Sequence, residues 1–191
     1  AVERQVLMAE DAVRAAPDSF SVWVDLAYAY MVSEDYGDAL DAIESAELIQ
    51  GDNATVFLMY GDLAVERGDD AEAVEQYLLG LAIAETPPVS LAERMQDRGI
   101  KLPQPYYQDA ANSLGYSAGQ AYYRLGDPVS ASEMFERALV YDSMDSSSWA
   151  ALGDIHAELG DEESARSAYT EALRFVPDYR PALAGLERLD D

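Results

Sequence analysis

Few residues in this sequence could support acid–base, nucleophilic or metal chemistry. The chain of 191 residues has no cysteine and a single histidine, His156. It contains no glycine-rich phosphate loop and no His-Glu-x2-His metal motif. The acidic pairs Asp69/Asp70 and Glu162/Glu163 fall at predicted helix starts, where they complement the helix dipole better than they serve catalysis. The sequence therefore predicts no catalytic residue, no bound metal and no cofactor.

Four aspartates recur just before an apolar helical stretch: Asp35, Asp69, Asp127 and Asp161. An aspartate at a helix N-cap accepts hydrogen bonds from the backbone N–H groups of the first turn. Glycine precedes three of the four, and it tolerates the positive φ that often ends the previous helix. Gly-Asp pairs also occur in metal and phosphate loops, but capping explains the regular spacing without any ligand. The aspartates therefore predict four turns between paired helices.

The paired helices form a repeating unit of 34 residues, with copies at 20–53, 54–87, 112–145 and 146–179. The clearest copy, the last, has large and small apolar residues at regular intervals: Trp149, Leu152, Gly153, Ala165, Tyr169, Ala172 and Pro177. His156 replaces a tyrosine of the pattern, so we expect it to pack in the core. Gly115 stands where other copies have Trp or Phe, which predicts an empty place in the third copy.

This pattern resembles the tetratricopeptide repeat (TPR). The resemblance implies an all-α fold, a right-handed superhelical solenoid of antiparallel helix pairs that stack into one domain. Residues 1–19 are predicted to form the second helix of a partial repeat or an N-terminal cap, and 180–191 a C-terminal capping helix. The period breaks at 88–111, predicted to be a helical insert and linker. This insert is either a recognition element or a spacer.

Charge limits the partners of the chain. Its 37 acidic and 12 basic residues give a formal net charge of −25. Nucleic acid and anionic membranes are therefore unfavourable partners, and no apolar run is long enough to insert into a membrane. The acidity is consistent either with a basic partner or with adaptation to high salt. The compartment stays open, since the protein could be soluble in the cytoplasm or exported after removal of an N-terminal segment.

The TPR resemblance also implies a site. First helices of successive repeats line a concave groove that binds a peptide or a segment of a partner protein. The positions carried over from the family are Val24, Asp25, Tyr28, Met31, Leu58, Met59, Asp62, Val65, Glu66, Tyr116, Ser117, Gln120, Tyr123 and Arg124. The fourth repeat contributes Ala150, Ala151, Asp154, Ala157 and Glu158. We expect Tyr28, Met59 and Tyr123 to form one contiguous, partly exposed apolar surface.

These positions favour a non-catalytic interaction scaffold whose partner segment has apolar and basic residues. The clamp that some TPR proteins use for the C-terminal carboxylate of chaperones is not expected, because Arg124 is the only cation in the groove set. Two alternatives stay open. The chain could assemble with copies of itself into a homo-oligomer, or it could be the docking region of a larger multidomain protein.

Overall fold

The computed structural model describes residues 2–86 and 108–190, and every regular element in those ranges is an α-helix. The chain divides into two compact units, Ala1–Ala110 and Ala111–Asp191. The division falls at the end of the segment in which the repeat period is interrupted. Of the insert predicted at 88–111, only 108–111 are described, and they are helical; the rest of that prediction lies outside the described residues.

The helices follow the predicted repeats closely. In the first unit they are α1 (Val2–Ala15), α2 (Phe20–Val32), α3 (Tyr36–Gln50), α4 (Ala54–Glu66) and α5 (Asp70–Glu85). Then come α6 (Gln108–Arg124), α7 (Pro128–Tyr141), α8 (Ser146–Glu158), α9 (Glu162–Phe175) and α10 (Arg180–Asp190). Helices α2 and α3, α4 and α5, and α8 and α9 pack as pairs. Within the two described ranges, no helix has the length and apolar character needed to cross a membrane.

Three of the four predicted caps form as expected. The carboxylates of Asp69, Asp127 and Asp161 accept hydrogen bonds of 3.0–3.1 Å from the backbone N–H three residues later. The glycine before each cap has a φ of 77–78°. Hydrogen bonds from Ser130 and Ser164 lower the pKa of Asp127 and Asp161, respectively. Helix capping thus accounts for these aspartates without a metal or phosphate.

The prediction for Asp35 is wrong in its detail. Asp35 precedes α3 but makes no capping hydrogen bond with its side chain. Instead its Oδ2 accepts from the Ser33 hydroxyl at 2.7 Å. Glu34 occupies the place of the glycines in the other turns, with φ 64°. A neighbouring hydroxyl therefore competes for the carboxylate, in a turn that places a glutamate in the left-handed region.

Helix pairs approach closely because glycine lies against an aromatic ring in three repeats: Gly61 on Tyr77, Gly119 on Phe135 and Gly153 on Tyr169. A β-carbon would lie 2.8 Å from the ring at Gly119 and 2.5 Å at Gly153, far inside van der Waals contact. All three rings are buried. Glycine is therefore required where the sequence pattern places a small residue.

Gly115 does not leave an empty place, contrary to expectation. A β-carbon there would lie 3.2 Å from the backbone of Ala138. Asn112, in the same helix, donates its side-chain N–H to the carbonyl of Ala138 at 3.3 Å. The place of the missing aromatic side chain is thus taken by Ala138 of α7, which lies directly against Gly115. Protein interiors are close-packed with few voids, so neighbouring atoms occupy a place that a side chain leaves.

Both ends of the repeat array make repeat-like contacts. The half-buried Trp23 donates its indole N–H to the carbonyl of Pro17 at 2.7 Å, and Trp149 donates to Ser143 at 3.0 Å. Each carbonyl lies six residues before the indole, in the turn that precedes the first helix. Helix α1 therefore packs on α2 as α7 packs on α8. At the other end, α10 packs on both α8 and α9.

Candidate functional site

Five of the predicted groove residues meet around a cavity in the first unit. The cavity has a volume of about 310 Å³ and lies between α2, α4 and α5. Its walls consist of apolar, phenolic and acidic side chains: Tyr28, Met31, Val32, Glu34, Asp62, Val65, Glu66 and Tyr77. We call it the first-unit cavity.

Asp62 is the centre of the first-unit cavity. Tyr28, from the preceding repeat, donates its hydroxyl to Oδ2 of Asp62 at 3.0 Å. Tyr77, from the second helix of the same repeat, donates to Oδ1 at 2.8 Å. Burial raises the pKa of Asp62, while the two tyrosine hydrogen bonds lower it in part. Asp62 is therefore a half-buried acceptor that links two repeats, and not simply an exposed charge of the groove.

The electrostatic environment of the first-unit cavity is negative. The exposed carboxylates of Glu34 and Glu66 lie at its rim. Burial, with the nearby Asp62 charge, raises the pKa of Tyr28. Tyr36 also has a raised pKa, from desolvation together with Glu66 and Glu34. None of the ion pairs resolved within residues 2–86 and 108–190 involves these three carboxylates.

A second cavity, of about 410 Å³, lies in the other unit and is called here the second-unit cavity. Its lining comprises Tyr123, Asp154, Ala157, Glu158 and Arg188. Buried Tyr169 donates its hydroxyl to Asp154 at 2.7 Å, and Arg188 donates to the same oxygen at 2.6 Å. Tyr123 donates to Glu158, which raises the pKa of the phenol to about 12.

Several predicted groove positions do not line either cavity. Met59 is 0 % exposed, so the expectation that it contributes to an exposed surface is wrong. Met31, in contrast, lines the first-unit cavity although it is only 5 % exposed. Tyr28 and Tyr123 belong to different units, so the contiguous surface expected from Tyr28, Met59 and Tyr123 stays a prediction. Ala150, in the fourth repeat, is also buried.

The remaining predicted positions differ in exposure. Val24 packs against the core of the first unit, Leu58 is half-buried and Asp25 is exposed. Tyr116 stacks at a tilt on Phe135, with ring centroids 5.6 Å apart, and its hydroxyl accepts from Gln120 at 3.1 Å. The half-buried positions in the second unit also include Ser117 and Ala151, whereas Arg124 is exposed.

Four cavity residues were missed by sequence reasoning: Val32, Glu34, Tyr77 and Arg188. Tyr77 belongs to the repeat signature as a core aromatic, and its hydroxyl donates to Asp62 in the cavity. Glu34 could have been noticed because it replaces the turn glycine of the other repeats. Arg188 stands at the place in α10 that Asp154 occupies in α8, one repeat length later. Register comparison between repeats would have found it.

His156 does not fill the tyrosine place as expected. The imidazole is half-buried and lines a cavity of about 430 Å³ together with Glu136, Trp149 and Ser167. At the same place in the first repeat, Tyr30 reaches across to Glu10 with a hydrogen bond of 3.0 Å. The imidazole is shorter than a phenol, so the space facing Glu136 stays open. Among the described residues, no group of three or more His, Cys, Asp or Glu is placed to hold a metal.

Comparison with known families decides how the helix pairs are classified. The family model for the tetratricopeptide repeat matches residues 24–88 and 116–180, together more than half of the chain. The chain belongs to the tetratricopeptide repeat family. No curated protein matches the sequence.

Solved TPR structures share the fold at low sequence identity. YrrB, described as a TPR protein with an unusual peptide-binding site, is 18% identical with a TM-score of 0.64, over 97% of this chain and 84% of YrrB. PilF from Pseudomonas aeruginosa is 19% identical with a TM-score of 0.73, over 98% and 75%. The first TPR of Spaghetti (RPAP3), bound to an HSP90 peptide, is 18% identical with a TM-score of 0.54, over 72% and 90%. The predicted all-α TPR solenoid is thus confirmed.

Proposed function

We propose that this TPR protein is a non-catalytic interaction module that binds a partner segment carrying apolar and basic side chains. The observation that carries the proposal is the first-unit cavity, in which three carboxylates surround a space with apolar walls. A cation entering this space would meet Asp62, Glu34 and Glu66, while an apolar neighbour would contact Val65 and Met31. Such a mixture suits an anchor side chain flanked by positive charge.

The TPR fold itself supports binding of a protein segment. YrrB is described as having a peptide-binding site, and the first TPR of Spaghetti (RPAP3) was determined with the peptide SRMEEVD. That peptide ends in two glutamates, a valine and an aspartate, a composition that the acidic first-unit cavity would repel. We therefore propose a partner of opposite charge. The net charge of −25 adds long-range attraction toward such a partner and disfavours nucleic acid.

The test begins with a partner segment mapped by cross-linking to the first unit. Tyr28→Ala removes contact area and the hydrogen bond to Asp62, so we expect faster dissociation. Glu66→Gln removes an exposed rim charge, so we expect mainly slower association and a weaker salt dependence. Asp62→Lys is a poor probe because it would place a cation in a half-buried hydrogen-bonded site.

Glu75→Gln is the matched control for the rim charge. Glu75 is exposed on α5 and lines neither cavity, and the substitution changes the net charge by the same amount. Surface plasmon resonance with the mapped segment measures both rate constants. Equal kinetics for wild type, Tyr28→Ala and Glu66→Gln would contradict the proposed site. If Glu66→Gln and Glu75→Gln changed the rate constants equally, the overall charge of the protein, and not the cavity, would account for the effect.

A second candidate function is self-assembly through α1. Leu7 and Met8 are 58% and 63% exposed on this helix, which packs on α2 with its opposite side. Exposed apolar residues on one helix face favour contact with another protein surface. Light scattering over a range of concentrations separates the two candidates. A mass that stays monomeric would exclude self-assembly, and a dimer lost in Leu7→Lys would support it.

A further inference from the structure

The two cavities are built from the same positions of the repeat. Asp62, Val65 and Glu66 in α4 correspond to Asp154, Ala157 and Glu158 in α8. Behind each aspartate, a buried tyrosine of the paired second helix donates its hydroxyl to Oδ1. These are Tyr77 for Asp62, at 2.8 Å, and Tyr169 for Asp154, at 2.7 Å. The structure thus contains two copies of one aspartate–tyrosine pair.

The copy in the second unit holds a guanidinium group. Arg188, from α10, donates Nη2 to Asp154 Oδ1 at 2.6 Å and lies 3.5 Å from the hydroxyl of Tyr169. Its pKa is raised by that hydroxyl and by Asp154. Here the chain itself shows which cation the pair accepts. The arginine enters from the helix that follows the repeat.

The copy in the first unit has the acceptors without an arginine from the described residues. Asp62 uses one lone pair of each oxygen for Tyr77 and Tyr28, which leaves a lone pair on each oxygen for another donor. Glu34 and Glu66 add two further carboxylates at the rim. Counting the described residues alone, the first-unit cavity is therefore more acidic than the second-unit cavity, in which Arg188 neutralises Asp154.

We propose that the first-unit cavity is a subsite for an arginine side chain of the bound segment. This inference rests on the proposed function and names the side chain that it recognises. A guanidinium is planar and has five N–H donors, so it can bond Asp62 and a rim carboxylate together. The aliphatic part of the arginine would pack on Met31 and Val65. A lysine ammonium is a compact, strongly hydrated charge that bridges separated carboxylates less well.

The direct test is a titration of the full chain with N-acetyl-arginine N-methylamide, followed by NMR of labelled methyl groups. Val65 and Met31 report on the first-unit cavity, and Ala157 reports on the second. We expect weak, saturable shifts at Val65 and Met31, because one side chain makes few contacts. Ala157 should not respond, since Arg188 already holds Asp154.

Two probes and two variants serve as controls. N-acetyl-citrulline N-methylamide has nearly the same shape without the charge, and we expect its affinity to be at least about tenfold weaker. The lysine analogue should also bind more weakly. Asp62→Asn removes the central charge and should weaken binding of the arginine probe by about tenfold. Glu66→Gln, at an exposed position, should weaken it less and keeps the test valid if Asp62→Asn perturbs the fold.

Arg188→Gln provides the sharpest control because it vacates the second copy of the pair. In this variant the arginine probe should also shift Ala157, with the shifts at Val65 unchanged. The proposal is overturned if citrulline binds as well as arginine, if Val65 and Met31 show no saturable shift, or if Ala157 stays silent in Arg188→Gln. That last outcome would mean that the aspartate–tyrosine pair does not accept an external guanidinium.

The arginine subsite and the proposed function can fail separately. Replacing each arginine of the mapped partner segment by citrulline tests the subsite. Unchanged affinity would overturn the arginine subsite and leave segment binding intact. Conversely, a partner segment insensitive to Tyr28→Ala, together with saturable shifts of Val65 by the arginine probe, would overturn the proposed function and leave the subsite standing.

Discussion

Gly61→Ala should both destabilise the first unit and disturb its cavity. A β-carbon at position 61 would lie 2.5 Å from Cδ1 and 2.8 Å from Cζ of Tyr77, and closer still to Cε1. The ring is 2 % exposed, and its hydroxyl is held by Asp62 at 2.8 Å. The ring therefore cannot make room for the new methyl group without leaving Asp62 or displacing α5.

The expected size of the effect follows from three contributions. Adding a methyl group to a filled core costs about 1–3 kcal/mol. The higher helix propensity of alanine offsets about 1 kcal/mol of this. Loss of the Tyr77–Asp62 hydrogen bond adds about 1 kcal/mol. We expect Gly61→Ala to lower the free energy of unfolding by about 2 kcal/mol, with weaker binding of the arginine probe.

Urea unfolding followed by far-UV circular dichroism measures this change. With a slope of about 2 kcal/mol per M, the midpoint should fall by about 1 M. Gly37→Ala is the matched control, because Gly37 is exposed in α3 and a β-carbon there meets nothing within 4 Å. That variant should be neutral or more stable by up to about 1 kcal/mol.

Two results would refute this reasoning. One is a Gly61→Ala midpoint equal to or above that of Gly37→Ala. The other comes from a double-mutant cycle with Tyr77→Leu, which removes the ring edge that the methyl group meets. The cost of Gly61→Ala should then largely disappear, because two residues in direct contact couple strongly. A cost that persists would place the clash elsewhere.

Three further predictions concern single positions. His156→Tyr should fill the adjoining cavity and raise the free energy of unfolding by about 1 kcal/mol through a hydrogen bond like that of Tyr30. His156→Phe cannot form this hydrogen bond and should gain less. An unchanged thermal midpoint for His156→Tyr would contradict the prediction. Glu34→Gly should relieve a φ of 64° and stabilise the first unit by about 0.5–1 kcal/mol while weakening binding of the arginine probe. Gly68→Ala is the opposite substitution at a similar φ of 78°, so it should destabilise the first unit. Equal stability of Glu34→Gly and Gly68→Ala would contradict backbone strain at these positions. Because burial raises the pKa of Asp62, the stability that this group contributes is present at low pH and is lost as pH rises through the raised value. The free energy of unfolding of wild type minus that of Asp62→Asn should therefore rise as the pH is lowered from 8 to 3. A difference that does not change with pH would refute this prediction.

Helix pairs and turns were predictable because they depend on residues close together in the chain. The cap at Asp127, for example, needs only the N–H of Ser130, three residues later. The Gly153–Tyr169 contact repeats at one spacing in three copies, so the pattern itself reveals it. At Asp35 the predicted capping hydrogen bond does not form, because the Ser33 hydroxyl donates to the carboxylate instead. Gly115 shows a second limit, because Ala138 occupies the place that the pattern leaves without an aromatic side chain.

The composition of the candidate site was less predictable. Tyr28, Asp62, Val65 and Glu66 were assigned to the groove from their place in the first helices. Met59, an immediate neighbour of such positions, proved to be completely buried. Around a helix, adjacent residues differ by about 100°, so a small rotation decides between core and groove. The periodic pattern does not specify that rotation to the accuracy needed.

The sequence by itself determined the repeat, its turns, the close glycine–aromatic contacts and the acidic character of the chain. Only the tertiary structure decided which acids meet which hydroxyls and cations. Tyr28 lies 34 residues from Asp62, and Arg188 lies 34 residues from Asp154, so each pair forms only when neighbouring repeats stack. The pairing depends on helix rotation and on side-chain rotamers at the contact between repeats. The pattern within each repeat carries information about neighbours along the chain, whereas the chemistry of the two cavities arises from contacts between successive repeats.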